Sequence, residues 1–146
     1  MATIMRKLNI ISRCGAIYRE KVSSENLPGI YHSYIFAICN NPGFSQDKLA
    51  KHLCINKSSV TRHLAFLEKN GYIKREPCQK DKRELLVFPT EKMLTMKTEA
   101  SNMSKPGNKL VTEGISDAEL ELFQRLMEKM YDNSIKLIYS GGEGEK

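Results

Sequence analysis

A mainly α-helical fold with one small β-hairpin is predicted for this chain by three observations. Two short amphipathic stretches follow one another between Ser45 and Asn70. Two runs of strand composition, Tyr72 to Arg75 and Leu85 to Phe88, then flank a charged tip. At either end of the chain, apolar residues recur at helical spacing over longer segments.

In chain order, Ile4, Leu8, Ile11, Gly15, Tyr18 and Val22 recur at steps of four and three, the narrow stripe of a helix that pairs with another helix. A short helix from about Ile30 to Asn40 follows, carrying Tyr31, His32, Tyr34, Phe36 and Cys39. Ser45 is suited to cap the next helix, in which Leu49, Ala50 and Leu53 share a face and the small Ala50 allows a close crossing. Cys54, Ile55 and Asn56 form a turn, with Ile55 as its inward anchor. Asn56 is a good N-cap for a helix running to Asn70, and Gly71 ends it. At 100° per residue, Val60, Leu64 and Leu67 lie on one side of that helix, and Ser58, Arg62, Ala65 and Lys69 on the other. Beyond the hairpin, Ser116 and Glu119 have the spacing of a capping box. Leu120, Phe123, Met127, Met130, Ile135 and Ile138 then give the final helix an apolar side. The tail 141–146 is expected to be disordered.

Helix, tight turn, helix and basic hairpin together describe a winged helix-turn-helix, whose second helix enters a DNA major groove. The bland alternative is a helix pair with an ordinary solvated face; the hairpin argues against it. Candidate contacts at the helices are Ser45, Lys48, Lys57, Ser58, Ser59, Thr61, Arg62, His63 and Lys69. At the tip, Lys80, Lys82 and Arg83 suit phosphates or a narrow minor groove, and Asp81 is expected to orient the Arg83 guanidinium by a charge-assisted pair. Residues 30–92 are thus read as the DNA-binding region, and residues 1–29 and 93–140 as helical dimerisation arms. Paired reading heads need a two-fold axis, so a homodimer on a near-palindromic double-stranded operator is expected.

Charge supports this division. The net +6 is distributed as 5 basic against 2 acidic residues over 1–44, 11 against 6 over 45–92, and 7 against 9 over 93–146. The largest excess falls on the proposed DNA unit, as an electrostatic footprint requires. At 146 residues with 40% hydrophobic content, one small domain with a modest core is expected. No apolar run approaches membrane-spanning length, and the opening MATIMRKLN lacks the features of a secretory signal, so a cytoplasmic location without membrane attachment is expected. Cys14, Cys39, Cys54 and Cys78 show neither C-x-x-C nor structural zinc spacing, and no metal or cofactor is expected. No P-loop, nucleophile elbow or clustered carboxylate pair is present, and His32, His52 and His63 are scattered, so catalysis is not expected. A winged unit that binds protein instead of DNA is the remaining alternative.

The run KSSVTRHLAFLEKNGYIKRE, followed by DKRELLVFPTEK, resembles the MarR family of multiple-antibiotic-resistance-type regulators. Asp81, Lys82 and Arg83 match that family's wing signature, and Thr90, Glu91 and Lys92 its next helix start. The element order is similar over nearly the whole chain. Three departures stand out. Cys54 occupies a turn position that often holds Gly, Met93 replaces a frequent Gly, and Ser104 to Gly107 interrupts a region that is usually one continuous helix. The resemblance implies a transcriptional repressor released by a small aromatic or anionic effector near the junction of the arms and the reading unit. Tyr18, Tyr31, His32 and Tyr34 are the candidate contacts there, with ordinary core packing as the alternative. It also allows peroxide sensing through Cys14, with Tyr18 nearby and Tyr31 or Tyr34 opposite; a free buried Cys is otherwise inert packing.

Overall fold

The computed structural model describes residues 2–22 and 27–139. The tail 141–146, read above as disordered, lies outside them. Six helices and three strands follow in the order α1 (Ala2–Val22), α2 (Tyr31–Asn40), β1 (Phe44–Ser45), α3 (Gln46–Leu53), α4 (Lys57–Lys69), β2 (Ile73–Pro77), β3 (Leu85–Pro89), α5 (Glu91–Val111) and α6 (Asp117–Tyr139). The chain divides into two compact units, residues 1–108 and 109–146.

The first unit contains the core. Tyr34, Ile35 and Ile38 of α2, Leu49 of α3, Val60, Leu64 and Leu67 of α4, Val87 of β3 and Met93 of α5 are almost wholly buried. Each such side chain contributes roughly 1.5–3 kcal/mol. Met93 and Met96 enter this core, so the start of α5 packs with the winged elements, past the 92/93 boundary read from the sequence.

Local chemistry sets the ends of α3 and α4. The Ser45 hydroxyl accepts from the Lys48 N–H at 3.2 Å, and the Asn56 side chain accepts from the Ser59 N–H at 2.8 Å. Between them Cys54 takes the left-handed conformation, φ 55° and ψ 39°, and the Ile55 N–H returns to the Ala50 carbonyl at 3.0 Å. A non-glycine residue there costs about 1–2 kcal/mol, which is why glycine is frequent at such turns. Gly71, at φ +77°, closes α4: its N–H donates to the Glu68 carbonyl at 3.0 Å, and the Tyr72 N–H donates to that of Leu67 at 2.9 Å.

The sheet has the order β1-β3-β2, antiparallel throughout. Both hairpin strands lie where expected; β2 begins one residue later and ends two later than Tyr72 to Arg75, and β3 is one residue longer than Leu85 to Phe88. β1 was not anticipated. It pairs Phe44 with Val87 and Ser45 with Leu86, and so ties the start of α3 to the wing.

Helix α5 runs unbroken through Pro106 and Gly107, where an interruption was expected. Proline removes one helical hydrogen bond, and the flanking turns carry the helix across. Gly107 has a packing role, since a Cβ there would lie 2.6 Å from the Tyr18 ring of α1.

In the second unit, the capping box at the start of α6 is present: the Glu119 carboxylate accepts from the Ser116 N–H at 2.9 Å, and the Ser116 hydroxyl accepts from the Glu119 N–H at 3.4 Å. None of the 23 residues of α6 is buried. No helix among the described residues is long and apolar enough to cross a membrane.

Candidate nucleic-acid interface

The outward side of α4 is the one its periodicity predicts. Lys57, Ser58, Thr61, Arg62, Ala65 and Lys69 are exposed, and Ser59 is half-buried. The hydroxyls of Ser58 and Thr61 donate to Asn56 Oδ1 and to the Lys57 carbonyl, which leaves their lone pairs as acceptors. Lys48 is exposed on α3, its ammonium 5.9 Å from the centre of the Phe44 ring. Lys57 Nζ lies 3.3 Å from Asp47 Oδ2, with both side chains well exposed. Such a pair is worth about 0–1 kcal/mol, so a phosphate can displace the carboxylate.

Two of the expected contacts belong elsewhere. Ser45 is only 2% exposed and its hydroxyl caps α3, so it cannot reach a ligand outside the fold. His63 is half-buried and its Nδ1 lies 2.9 Å from the Tyr34 hydroxyl. Burial, then the nearby Arg62 charge, lowers its pKa, which disfavours the imidazolium that a phosphate contact would use.

At the wing, Lys80, Asp81, Lys82 and Arg83 are all exposed. Asp81 does not hold the Arg83 guanidinium. Its Oδ1 accepts the Arg83 backbone N–H at 3.0 Å, an Asx-type turn that a short carboxylate forms two residues ahead. Asp81 therefore shapes the backbone from which Arg83 projects. A cleft of about 380 Å³ lies beside it, lined by Gln46, Asp47, Asp81, Arg83, Glu84 and Leu85.

Three further groups hold the reading elements, and the sequence did not single them out for this. Arg75 of β2 donates through Nε and Nη2 to Glu68 Oε2 of α4, the first at 2.9 Å, and through Nη1 to Gln46 Oε1 of α3 at 3.0 Å. These bonds keep the Glu68 carboxyl below its ordinary range. The Thr90 hydroxyl lies 2.7 Å from the Gly71 carbonyl and 2.9 Å from that of Tyr72. Lys92 Nζ donates to the Asn70 carbonyl at 3.1 Å and sits 4.3 Å from the Tyr72 ring centre. The T-E-K segment thus satisfies carbonyls at the end of α4, besides starting α5.

The candidate effector residues do not form one open site. Tyr34 is fully buried, and its phenol, bonded to His63, is pushed up to about 12, chiefly by burial. Tyr31 is buried and stacks on Phe66 of α4 with ring centres 4.8 Å apart. Both are packing between α2 and the recognition helix, and neither offers a surface to a ligand. Tyr18 is half-buried on α1, its hydroxyl 3.5 Å from the Met103 carbonyl. His32 is different. It is 4% exposed, its two ring nitrogens have no hydrogen-bond partner among the described residues, and the same is true of Arg19 Nε. Burial, then the Arg19 charge, lowers the His32 pKa. Cys14 is exposed on α1, while Tyr31 and Tyr34, read as its opposite neighbours, turn to Phe66 and His63. Among the described residues, no group of three or more His, Cys, Asp or Glu could hold a metal ion.

A capped helix pair, a recognition helix with an exposed cationic side and a three-stranded wing define a winged helix-turn-helix protein. Residues 32–85 match the family model "MarR family". Over that segment the chain is similar to the MarR family of transcriptional regulators. It is 25% identical over 134 residues to YybA, an uncharacterized HTH-type transcriptional regulator of Bacillus subtilis, covering 91% of this chain and 89% of that one. Its structure is similar to that of a MarR-family regulator from Listeria monocytogenes complexed with 26mer DNA, with a TM-score of 0.84 and 26% identity over 97% of each chain. It is also similar to a MarR protein from Peptoclostridium difficile, with a TM-score of 0.83 and 25% identity over 91% of this chain and 88% of that one.

Proposed function

We propose that this chain is a homodimeric, cytoplasmic repressor that binds a near-palindromic operator and is released by a small aromatic or anionic ligand. One observation carries the DNA reading: Arg62 and Lys69 stand on the exposed side of α4, and Lys80, Lys82 and Arg83 on the exposed tip of the adjoining hairpin. Arg62 would reach a base edge in the major groove, and Arg83 would enter the minor groove. The Listeria relative bound to DNA supports the same use of the fold.

The dimer is supported by apolar side chains left open in each unit: Ile4 and Ile11 on α1, and Phe123, Leu126 and Ile138 on α6. A second copy would cover them. Ligand release is supported by the buried, unpartnered nitrogens of Arg19 and His32, because an anionic group would supply the acceptor they lack.

Salt dependence is the test. With Lys48, Lys57, Lys69, Lys80 and Lys82 meeting phosphates, two subunits making about 6–10 contacts lose roughly 10³–10⁵ in affinity between about 50 and 200 mM salt. A flat response ends the DNA reading. The exposure of Cys14 favours one second reading, release by peroxide. Mild peroxide would then free DNA from the wild type and not from Cys14→Ser, and equal release from both eliminates it.

A further inference from the structure

The recognition helix and the wing can act together only if their relative angle is held, and Arg75 is one of the groups that bridge them. β2 and β3 pair over five residues, so the hairpin moves as one body with β2. Arg75 lies within β2, paired with the buried Val87. Its guanidinium bonds to the last turn of α4 through Glu68 and to the first residue of α3 through Gln46. The Arg75 side chain is 19% exposed and that of Glu68 39%, so the pair is partly shielded from solvent. Gln46 also lines the cleft that Arg83 shares. One planar fork thus meets the recognition helix, the helix before it and the wing strand. Lysine cannot reproduce this, because a single ammonium cannot donate from three fixed directions.

We propose that Arg75 is a positioning residue for DNA reading: it fixes the wing at one angle to α4, so that Arg62 and Arg83 engage neighbouring grooves at the same time. Arg75 acts through these two residues and touches no base. The inference rests on the DNA contacts proposed above.

Affinities are measured on a duplex that this protein selects from a random library and on an unselected duplex of equal length. The variants are Arg75→Lys, Arg83→Ala and their combination. Arg75→Lys keeps the charge, so the salt slope stays unchanged. It weakens binding to the selected duplex roughly tenfold, as loss of charge-assisted hydrogen bonds does, and to the unselected duplex less than about twofold. In the Arg83→Ala background the further loss is under about twofold, because the wing no longer has a contact to misplace. Full tenfold losses in both backgrounds, or equal losses on both duplexes, overturn the positioning role while the DNA reading stands. If Arg83→Ala binds the selected duplex as the wild type does, the wing contact is absent and this inference falls with it. Should Arg75→Lys fail to fold, Gln46→Ala removes one arm of the fork at a half-buried position and gives the same pattern at roughly two- to threefold. A Gln46→Ala loss that is additive with Arg83→Ala overturns the inference equally.

Discussion

Helices α4 and α6 are both amphipathic, and they differ in what covers the apolar side. α4 buries Val60, Leu64 and Leu67 completely in 13 residues. α6 has 23 residues and buries none, with Phe123 at 53% and Ile138 at 62% exposure. The reading helix is therefore positioned by its own chain. The apolar stripe of the closing helix is at most half-buried, with Phe123 and Ile138 exposed, and the proposed partner is a second copy.

The contrast breaks most clearly at Met127 and Leu64. Met127→Asp should split the dimer and, by removing bivalency, lower affinity for a two-fold operator by about 10²–10⁴. Size-exclusion with light scattering and operator titration measure the two losses, and a dimer that survives Met127→Asp removes the contrast. Leu64→Ala should instead cost about 2–5 kcal/mol of folding stability, read from denaturant midpoints at any protein concentration. A Leu64→Ala cost below that of an average surface change would mean that α4 is not held by this core.

A smaller effect separates the two arginines of the reading surface. Arg62→Ala should relax preference at one position in each half-site by about 1–3 kcal/mol. Arg83→Ala should weaken all sites, most of all those flanked by A·T-rich DNA. Binding to a randomised half-site library distinguishes the patterns, and identical profiles would refute the division of roles.

The smallest effect concerns His32. Burial holds its pKa below 6.5, so its contribution to stability is present above pH 6.5 and is lost as pH falls from there through the folded value. His63 has a shift of the same sign. Melting temperature should therefore fall on acidification below pH 6.5, and less steeply in His32→Leu. Benzoate should raise the melting point of the wild type and weaken its DNA binding, and His32→Leu should blunt both. An unchanged response in that variant would remove His32 from ligand binding.

What could be read in the sequence was local. Ser45, Asn56, Gly71 and Ser116 act within three or four residues of their partners, so the helix ends were legible. The alternation of apolar and charged residues marked the hairpin. Distant pairings were not legible. β1 has two residues and shows no period. Gln46 meets Arg75 29 positions away, and Thr90 meets Gly71 19 positions away. Tyr34 looked like a ligand contact because nothing local shows that its hydroxyl belongs to His63, also 29 positions away. Asp81 was misjudged by charge, since its short side chain reaches a backbone N–H more readily than a guanidinium. Ser104 to Gly107 reads locally as an interruption, and the sequence does not show that α5 continues through Pro106.

Thr90 and Lys92 fasten the end of α4 at the base of the hairpin, beside the Ile73–Pro89 pair. Everything from Cys78 to Glu84 lies beyond that fastening and beyond the paired strands. The tip is therefore a module whose length and charge can be exchanged without moving the end of the recognition helix. Grafting a longer or shorter tip would change the reach of the wing while leaving the major-groove reader where it is.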